Sequence, residues 1–195
     1  MPYLIESLGN VVYSPKSASK IISKELLEKH NISVFQFSSD DVFYGNRNGV
    51  DFEIVEFSNG KLFICFQGNK KVSERIVITT EKDYILKNKL SLEDVEFNKQ
   101  YHVYSNDEVA ARYVLTPSFI ERFKQLELDF LAKNITCSIN ENDIIFIINY
   151  RDDLFEIFDV KTKTINKENV ENVFRQLSSI MLMIDHFKLD EKTGL

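Results

Sequence analysis

The chain is poor in residues that break or cross-link structure. Its 195 residues include 6 Gly, 3 Pro, 2 Cys and no Trp. Gly and Pro this scarce exclude a collagen-like fibre and a long flexible linker. Because 44% of the residues are hydrophobic, the chain is not intrinsically disordered. The length predicts a single domain, 1–195, which divides at most into two lobes at about 1–95 and 96–195.

Basic clusters are missing as well. The chain has 24 Lys and Arg against 30 Asp and Glu, a formal net charge of −6, and no segment of it is basic. Nucleic acids and anionic membrane surfaces attract proteins through Lys/Arg-rich patches. The expected partner is therefore a protein or a small molecule. We expect the protein to contact a membrane only through a segment that is absent from this chain.

No stretch approaches the ~20 apolar residues of a membrane-spanning helix. The first residues, Met1–Glu6, carry neither the basic nor the apolar region of a signal peptide. Cys65 and Cys137 each lie inside an apolar run, without a second metal ligand nearby, which predicts buried, reduced thiols. We therefore expect a soluble cytoplasmic domain, or one at the cytoplasmic face of the membrane in a longer protein.

Turn signals in the first half predict an antiparallel meander. Asn59-Gly60 between two apolar runs is a strong hairpin signal. Residues 50–54 alternate between apolar and acidic side chains, the pattern of a half-buried strand. Upstream, Ser14-Pro15 predicts the start of a helix, because Ser is a good N-cap and Pro is favoured at the first helical position.

The second half predicts two central helices, a small sheet and a final helix. Thr116-Pro117 marks the start of the second helix of the central pair. Residues 144–148 are apolar at every position, which predicts a strand covered on both faces. Asn166 is the expected N-cap of a packed C-terminal helix, about 167–187. A second small antiparallel sheet is predicted from three strands: 135–139, 144–149 and 154–159. The fold class is α+β.

Charged residues concentrate at one corner, between a predicted strand at 101–104 and the central helices. Ser105 and Glu108 have the spacing of a capping box. Arg112 follows Glu108 by four residues, the favourable order for an ion pair on a helix. A structural motif explains these residues: Tyr104, Ser105, Glu108, Arg112, Thr116 and Pro117.

The same corner supports a catalytic hypothesis. A base at His102, a carboxylate at Asp107 and the guanidinium of Arg112 are the groups that an acid–base hydrolase would use. Asp107 is also explained by attraction to the positive end of the following helix. No phosphate-binding loop, dinucleotide fingerprint or nucleophile elbow is present. The sequence predicts no cofactor and no metal site.

This stretch resembles the bacterial family known as domain of unknown function 3137. The family pattern is a Phe-rich segment, a Val-Tyr corner, an Asp, an Ala-Arg-Tyr and a Leu-Thr-Pro helix start. The matching residues here are Phe97, Val103-Tyr104, Asp107, Ala111-Arg112-Tyr113 and Leu115-Thr116-Pro117. The resemblance covers roughly 10–190. The family has no established activity, so the resemblance supplies no catalytic residues. It also implies that many members carry a pair of membrane-spanning helices before the domain that this chain resembles.

Two hypotheses of function follow. The first is a non-enzymatic binding or scaffolding module, associated with a membrane through the longer protein. The alternative is a hydrolase-type enzyme that uses His102 and Asp107. Where these two side chains lie in the fold is the observation that discriminates between them.

Overall fold

A computed structural model describes residues 11–15, 21–33, 39–69, 71–81, 88–150, 154, 158–159 and 164–189. Five helices lie in these ranges: α1 (Lys24–Lys29), α2 (Val95–Gln100), α3 (Glu108–Val114), α4 (Pro117–Asp129) and α5 (Lys167–Leu189). The strands are β1 (Val11–Pro15), β2 (Ser39–Arg47), β3 (Val50–Phe57), β4 (Lys61–Gln67), β5 (Ile76–Thr79), β6 (Lys89–Leu90), β7 (His102–Tyr104), β8 (Asn134–Asn140), β9 (Asp143–Asn149), β10 (Phe158–Asp159) and β11 (Thr164–Ile165).

Nine strands form one antiparallel sheet in the order β1-β2-β3-β4-β9-β8-β5-β7-β6. Strands β2, β3 and β4 form the predicted meander, and β1 pairs with β2 at the edge of the sheet. Asn48 and Gly49 make the β2–β3 turn with φ of 54° and 89°, the left-handed pair of a type I′ hairpin. The predicted α+β class is confirmed.

The second sheet is smaller than the sequence predicts. It contains only β10 and β11 among the described residues, whereas β8 and β9 lie in the main sheet because β9 pairs with β4. Of the predicted strand 154–159, positions 155–157 lie outside the described residues. The meander ends on β4, whose free edge needs a partner, and the uniformly apolar β9 supplies it.

The centre of the sheet is covered on both faces. Ile64 and Phe146 belong to the large core cluster that contains the buried faces of α4 and α5. Cys65 and Ile145, their neighbours along β4 and β9, point the other way into a smaller cluster with Leu27 of α1. The prediction that residues 144–148 form a doubly covered strand is therefore confirmed.

The helix predicted to start at Ser14-Pro15 starts further along the chain. Ser14 lies in β1, where it pairs with Val42 of β2. The helix begins later, after Ser23, whose hydroxyl accepts a hydrogen bond from Leu26 N at 3.1 Å. Pairing with a neighbouring strand thus outweighs the local cap signal at Ser14-Pro15.

Polar contacts hold α1 on its face of the sheet. The buried carboxylate of Glu53 accepts hydrogen bonds from the backbone N–H groups of Ile21 and Ile22, at 2.8 and 3.0 Å. His30 is fully buried, and its Nδ1 lies 2.8 Å from Ser138 Oγ. Burial lowers the pKa of His30 to about 4. At the helix end, Lys29 Nζ lies 2.5 Å from an Asp143 oxygen.

Helices α4 and α5 meet around a buried carboxylate. Asp129, at the end of α4, accepts a short hydrogen bond from Ser179 and lies 3.2 Å from Arg175 Nε. Gln125 donates a further hydrogen bond to it at 2.9 Å.

Asn166 Oδ1 accepts a hydrogen bond from Glu168 N at 2.9 Å at the start of α5, which confirms the predicted cap.

Candidate functional site

The corner between β7 and α3 is built differently from the predicted capping box. The N-cap of α3 is Asp107, which accepts from Ala110 N at 2.9 Å, and not Ser105. The Ser105 hydroxyl accepts instead from Asp107 N at 3.1 Å, inside a tight turn. Asp is as favourable an N-cap as Ser, and the turn at Ser105 brings the Asp107 carboxylate to the helix start.

The predicted ion pair on α3 is confirmed. Glu108 Oε1 accepts from Arg112 Nε at 2.9 Å and from Arg112 Nη2 at 2.8 Å. The same Nη2 donates to the carbonyl of Ser91 at 3.0 Å, which ties α3 to the segment after β6. Both charged side chains are exposed. Thr116, also as predicted, caps α4, with Pro117 at its first position.

The two residues of the catalytic hypothesis lie on different elements, His102 at the start of β7 and Asp107 at the N-cap of α3. Both carboxylate oxygens of Asp107 accept hydrogen bonds, from Ala110 N and from Ser73 Oγ, and these bonds lower its pKa. His102 pairs in register with Thr79 and lies on the opposite face of the sheet from Val103, which belongs to the α4–α5 core. The hydrolase hypothesis stays a prediction.

A groove of about 450 Å³ lies beside this corner, between the start of α2 and the α3–α4 turn. We call it the α2–α4 groove. Its apolar floor is formed by Leu92, Leu115 and Ile120, all buried, and Thr116 and Pro117 complete its lining. Its rim carries five charged side chains: Glu93, Asp94, Arg112, Glu121 and Lys124.

Both cations of the rim are already paired. Arg112 is held by Glu108, as described, and Lys124 Nζ lies 3.0 Å from Asp94 Oδ2. The Lys124 ammonium also lies 5.6 Å from the centre of the Phe97 ring, a cation–π contact. Asp94 caps α2 by accepting from Phe97 N at 2.9 Å, and this bond and the one from Lys124 lower its pKa.

Two carboxylates of the rim have no such partner. Glu93 and Glu121 are exposed and make no hydrogen bond or ion pair within the part of the chain that the structure describes. The groove therefore combines an apolar floor, two neutralised cations and two available negative charges. An arrangement of this kind can hold an amphipathic ligand.

No metal centre or membrane-spanning helix is found in the described ranges. They contain no group of three or more His, Cys, Asp or Glu side chains that could hold a metal ion. Among the same residues, no helix combines the length and the apolar character that crossing a bilayer requires.

Comparison with known proteins settles the family. The model of the family described as "Protein of unknown function (DUF3137)" matches residues 50–189. The chain belongs to this family. No curated protein matches it. The resemblance noted at the 97–117 segment is thereby confirmed, and the matched range contains the whole α2–α4 groove.

A solved structure shares the fold. It is the crystal structure of the mycobacterial trehalose monomycolate transport factor A, TtfA, with a TM-score of 0.54 and 12% sequence identity. The similarity covers 93% of this chain and 90% of that chain. At this identity the likeness establishes a common fold only.

Sequence reasoning missed most of the groove. It singled out Arg112, Leu115, Thr116 and Pro117 but not Asp94 or Lys124. Asp94 could have been found, because an Asp before an apolar and acidic run is typical of an N-cap. The Asp94–Lys124 pair joins residues thirty positions apart, and local spacing carries no signal for it.

Proposed function

We propose that this domain is a non-enzymatic binding module whose ligand site is the α2–α4 groove. The observation that carries the proposal is the groove itself: an apolar floor beneath a rim whose cations are already neutralised. Such a surface contributes affinity through apolar contact and leaves polar groups at the edge for specificity. TtfA is named as a transport factor, and a binding role in this chain agrees with that description.

The proposal includes a cytoplasmic location, free or at the membrane face through other parts of a longer protein. The two buried free cysteines, Cys65 and Cys137, support it, because persistent free thiols are typical of a reducing compartment. In this arrangement the domain would act as a scaffold that holds its ligand close to the membrane.

The binding site is tested by amide NMR with a library of fragments and short peptides. Ligands are expected to shift the resonances of Leu115, Thr116 and Ile120 together. The variant Glu121→Trp places an indole over the groove and should abolish these shifts. Leu128→Trp is the matched control, because Leu128 is exposed on the same face of α4, two turns further along.

The control variant should respond as the wild type does. Shifts that cluster on another surface, or that persist unchanged in Glu121→Trp, would place the binding site elsewhere. Hydrolysis of library members that is lost in His102→Ala would favour the enzyme hypothesis instead.

A further inference from the structure

We infer that the ligand of the α2–α4 groove is a basic amphipathic segment of another protein. One or two apolar side chains of this segment occupy the floor, and its Lys or Arg side chains pair with Glu93 and Glu121. The inference rests on the proposed function, because it names the partner of the same site.

The charge of the rim points to a basic ligand. Three carboxylates stand against two cations, and each cation is held by a carboxylate beside it. A ligand that brought an anion would meet two cations whose charge is already offset by Glu108 and Asp94, and Glu93 and Glu121 would repel it. A ligand that brings cations finds Glu93 and Glu121 exposed and available.

The floor of the groove requires an apolar group as well. Leu92, Leu115 and Ile120 are buried by the domain, but they form the base of a cavity of about 450 Å³, large enough for an apolar side chain. A purely polar cation would leave this space filled with water. The segment that fits therefore carries apolar and basic residues close together, as an extended strand that alternates the two does.

A protein segment fits better than an anionic lipid surface or a nucleic acid. Both of these carry negative charges, which Glu93 and Glu121 would repel. The whole chain has a net charge of −6, so its long-range field also favours a basic partner.

The test uses three fluorescent peptides of equal length and the full chain. The first alternates Leu and Lys, the second replaces Lys with Glu, and the third replaces Leu with Gly. Fluorescence anisotropy should show binding of the Leu/Lys peptide, weakened by added salt, and weaker or absent binding of the other two. The double variant Glu93→Gln/Glu121→Gln should weaken binding of the Leu/Lys peptide about fivefold, as expected for the loss of two exposed ion pairs. Glu25→Gln, an exposed carboxylate of α1 on the other face of the sheet, is the control and should have no effect.

The outcomes separate this inference from the proposed function. If the Leu/Glu peptide binds as tightly as the Leu/Lys peptide, and Glu121→Trp blocks it, the groove is a binding site but its ligand is not basic. Equal binding of the Gly/Lys peptide would show that charge alone suffices and that the apolar floor is unused. If Glu121→Trp leaves the binding of every peptide unchanged, both the inference and the proposed function are wrong.

Discussion

Arg47 of β2 holds Asp185 of α5 in a two-bond salt bridge, with Nε 3.0 Å from Oδ1 and Nη2 2.6 Å from Oδ2. Asn48 in the adjoining turn adds a third bond to this carboxylate, at 2.9 Å. The β2–β3 hairpin is thereby fastened to the far end of the C-terminal helix, across 138 positions of sequence.

Replacing this arginine should measurably destabilise the domain. Arg47→Met is expected to lower the free energy of unfolding by about 1 kcal/mol and the Tm by about 2–4 °C. Lys167→Met is the control, because the Lys167–Glu171 pair is exposed and should contribute nothing measurable. The hydrogen bond from Arg47 lowers the pKa of Asp185. The difference in unfolding free energy between the wild type and Arg47→Met should therefore be full at pH 7 and shrink below about pH 4. Equal effects of the two variants in urea denaturation would contradict this prediction.

Arg112 is predicted to be structural. Because its pair with Glu108 is exposed, Arg112→Ala should cost about 0.5 kcal/mol of unfolding free energy. Glu108→Gln should cost a similar amount, and the double variant should show that the two losses are not additive. An Arg112→Ala protein with an unchanged Tm but lost peptide binding would show that the arginine contacts the ligand.

Both cysteines are predicted to be unreactive in the folded protein. Cys65 and Cys137 are buried, and burial raises the pKa of each thiol above its usual value, so little thiolate forms at neutral pH. Titration with a thiol reagent should be slow under native conditions and should reach both thiols after unfolding without reductant. If unfolding without reductant exposes no thiol, the cysteines are oxidised in the protein and the cytoplasmic proposal is wrong.

Replacement by aspartate should destabilise the protein at one leucine of α5 and have almost no effect at another. Leu177 is 1% exposed in the core, so Leu177→Asp buries a charge and should cost on the order of 3 kcal/mol or more. Leu182 is 50% exposed, and Leu182→Asp should leave the melting transition nearly unchanged. A Leu177→Asp protein that stays folded and monomeric but loses liposome binding would show that this face of α5 contacts a membrane.

His30 should make the fold sensitive to mild acid. The unfolded chain protonates this imidazole near its ordinary pKa of about 6.5, whereas the folded protein resists protonation down to about pH 4. The stability that the neutral His30 side chain contributes is therefore complete above pH 6.5 and is lost as the pH falls toward 4. Between pH 7 and 5 the loss should be on the order of 1–2 kcal/mol. His30→Asn cannot titrate and should show a flatter dependence of stability on pH. A slope identical to that of the wild type would place the acid sensitivity elsewhere.

Local chemistry made part of this fold predictable. The Asn-Gly turns, the Thr116 cap and the Glu108–Arg112 pair each depend on residues within four positions of one another, and all are present. The signal at Ser14-Pro15 was equally local but misleading, since β2 offers that segment a strand partner. A cap contributes about 1 kcal/mol, and a full set of strand contacts exceeds it.

The order of the strands and most of the groove could not be predicted. Nothing in the composition of β4 specifies that β9, rather than β5, lies beside it. The groove depends on the Asp94–Lys124 pair, which forms only after α2 and α4 have been brought together. Glu93 and Glu121 stand out as candidate binding residues only because these two carboxylates, next to the Asp94–Lys124 pair, have no partner among the residues that the structure describes.

The position of β9 beside β4 also constrains how the chain is assembled during synthesis. The β2–β4 meander can form as soon as it has left the ribosome, but Gln67 at the end of β4 pairs with Asp143, 76 residues later. At the usual rate of 5–20 residues per second, the apolar edge of β4 waits about 4–15 s for its neighbour. During that interval it is a site for mispairing with another nascent chain. Codon usage and chaperone access between residues 67 and 143 should therefore affect the yield of this protein more than changes nearer its end.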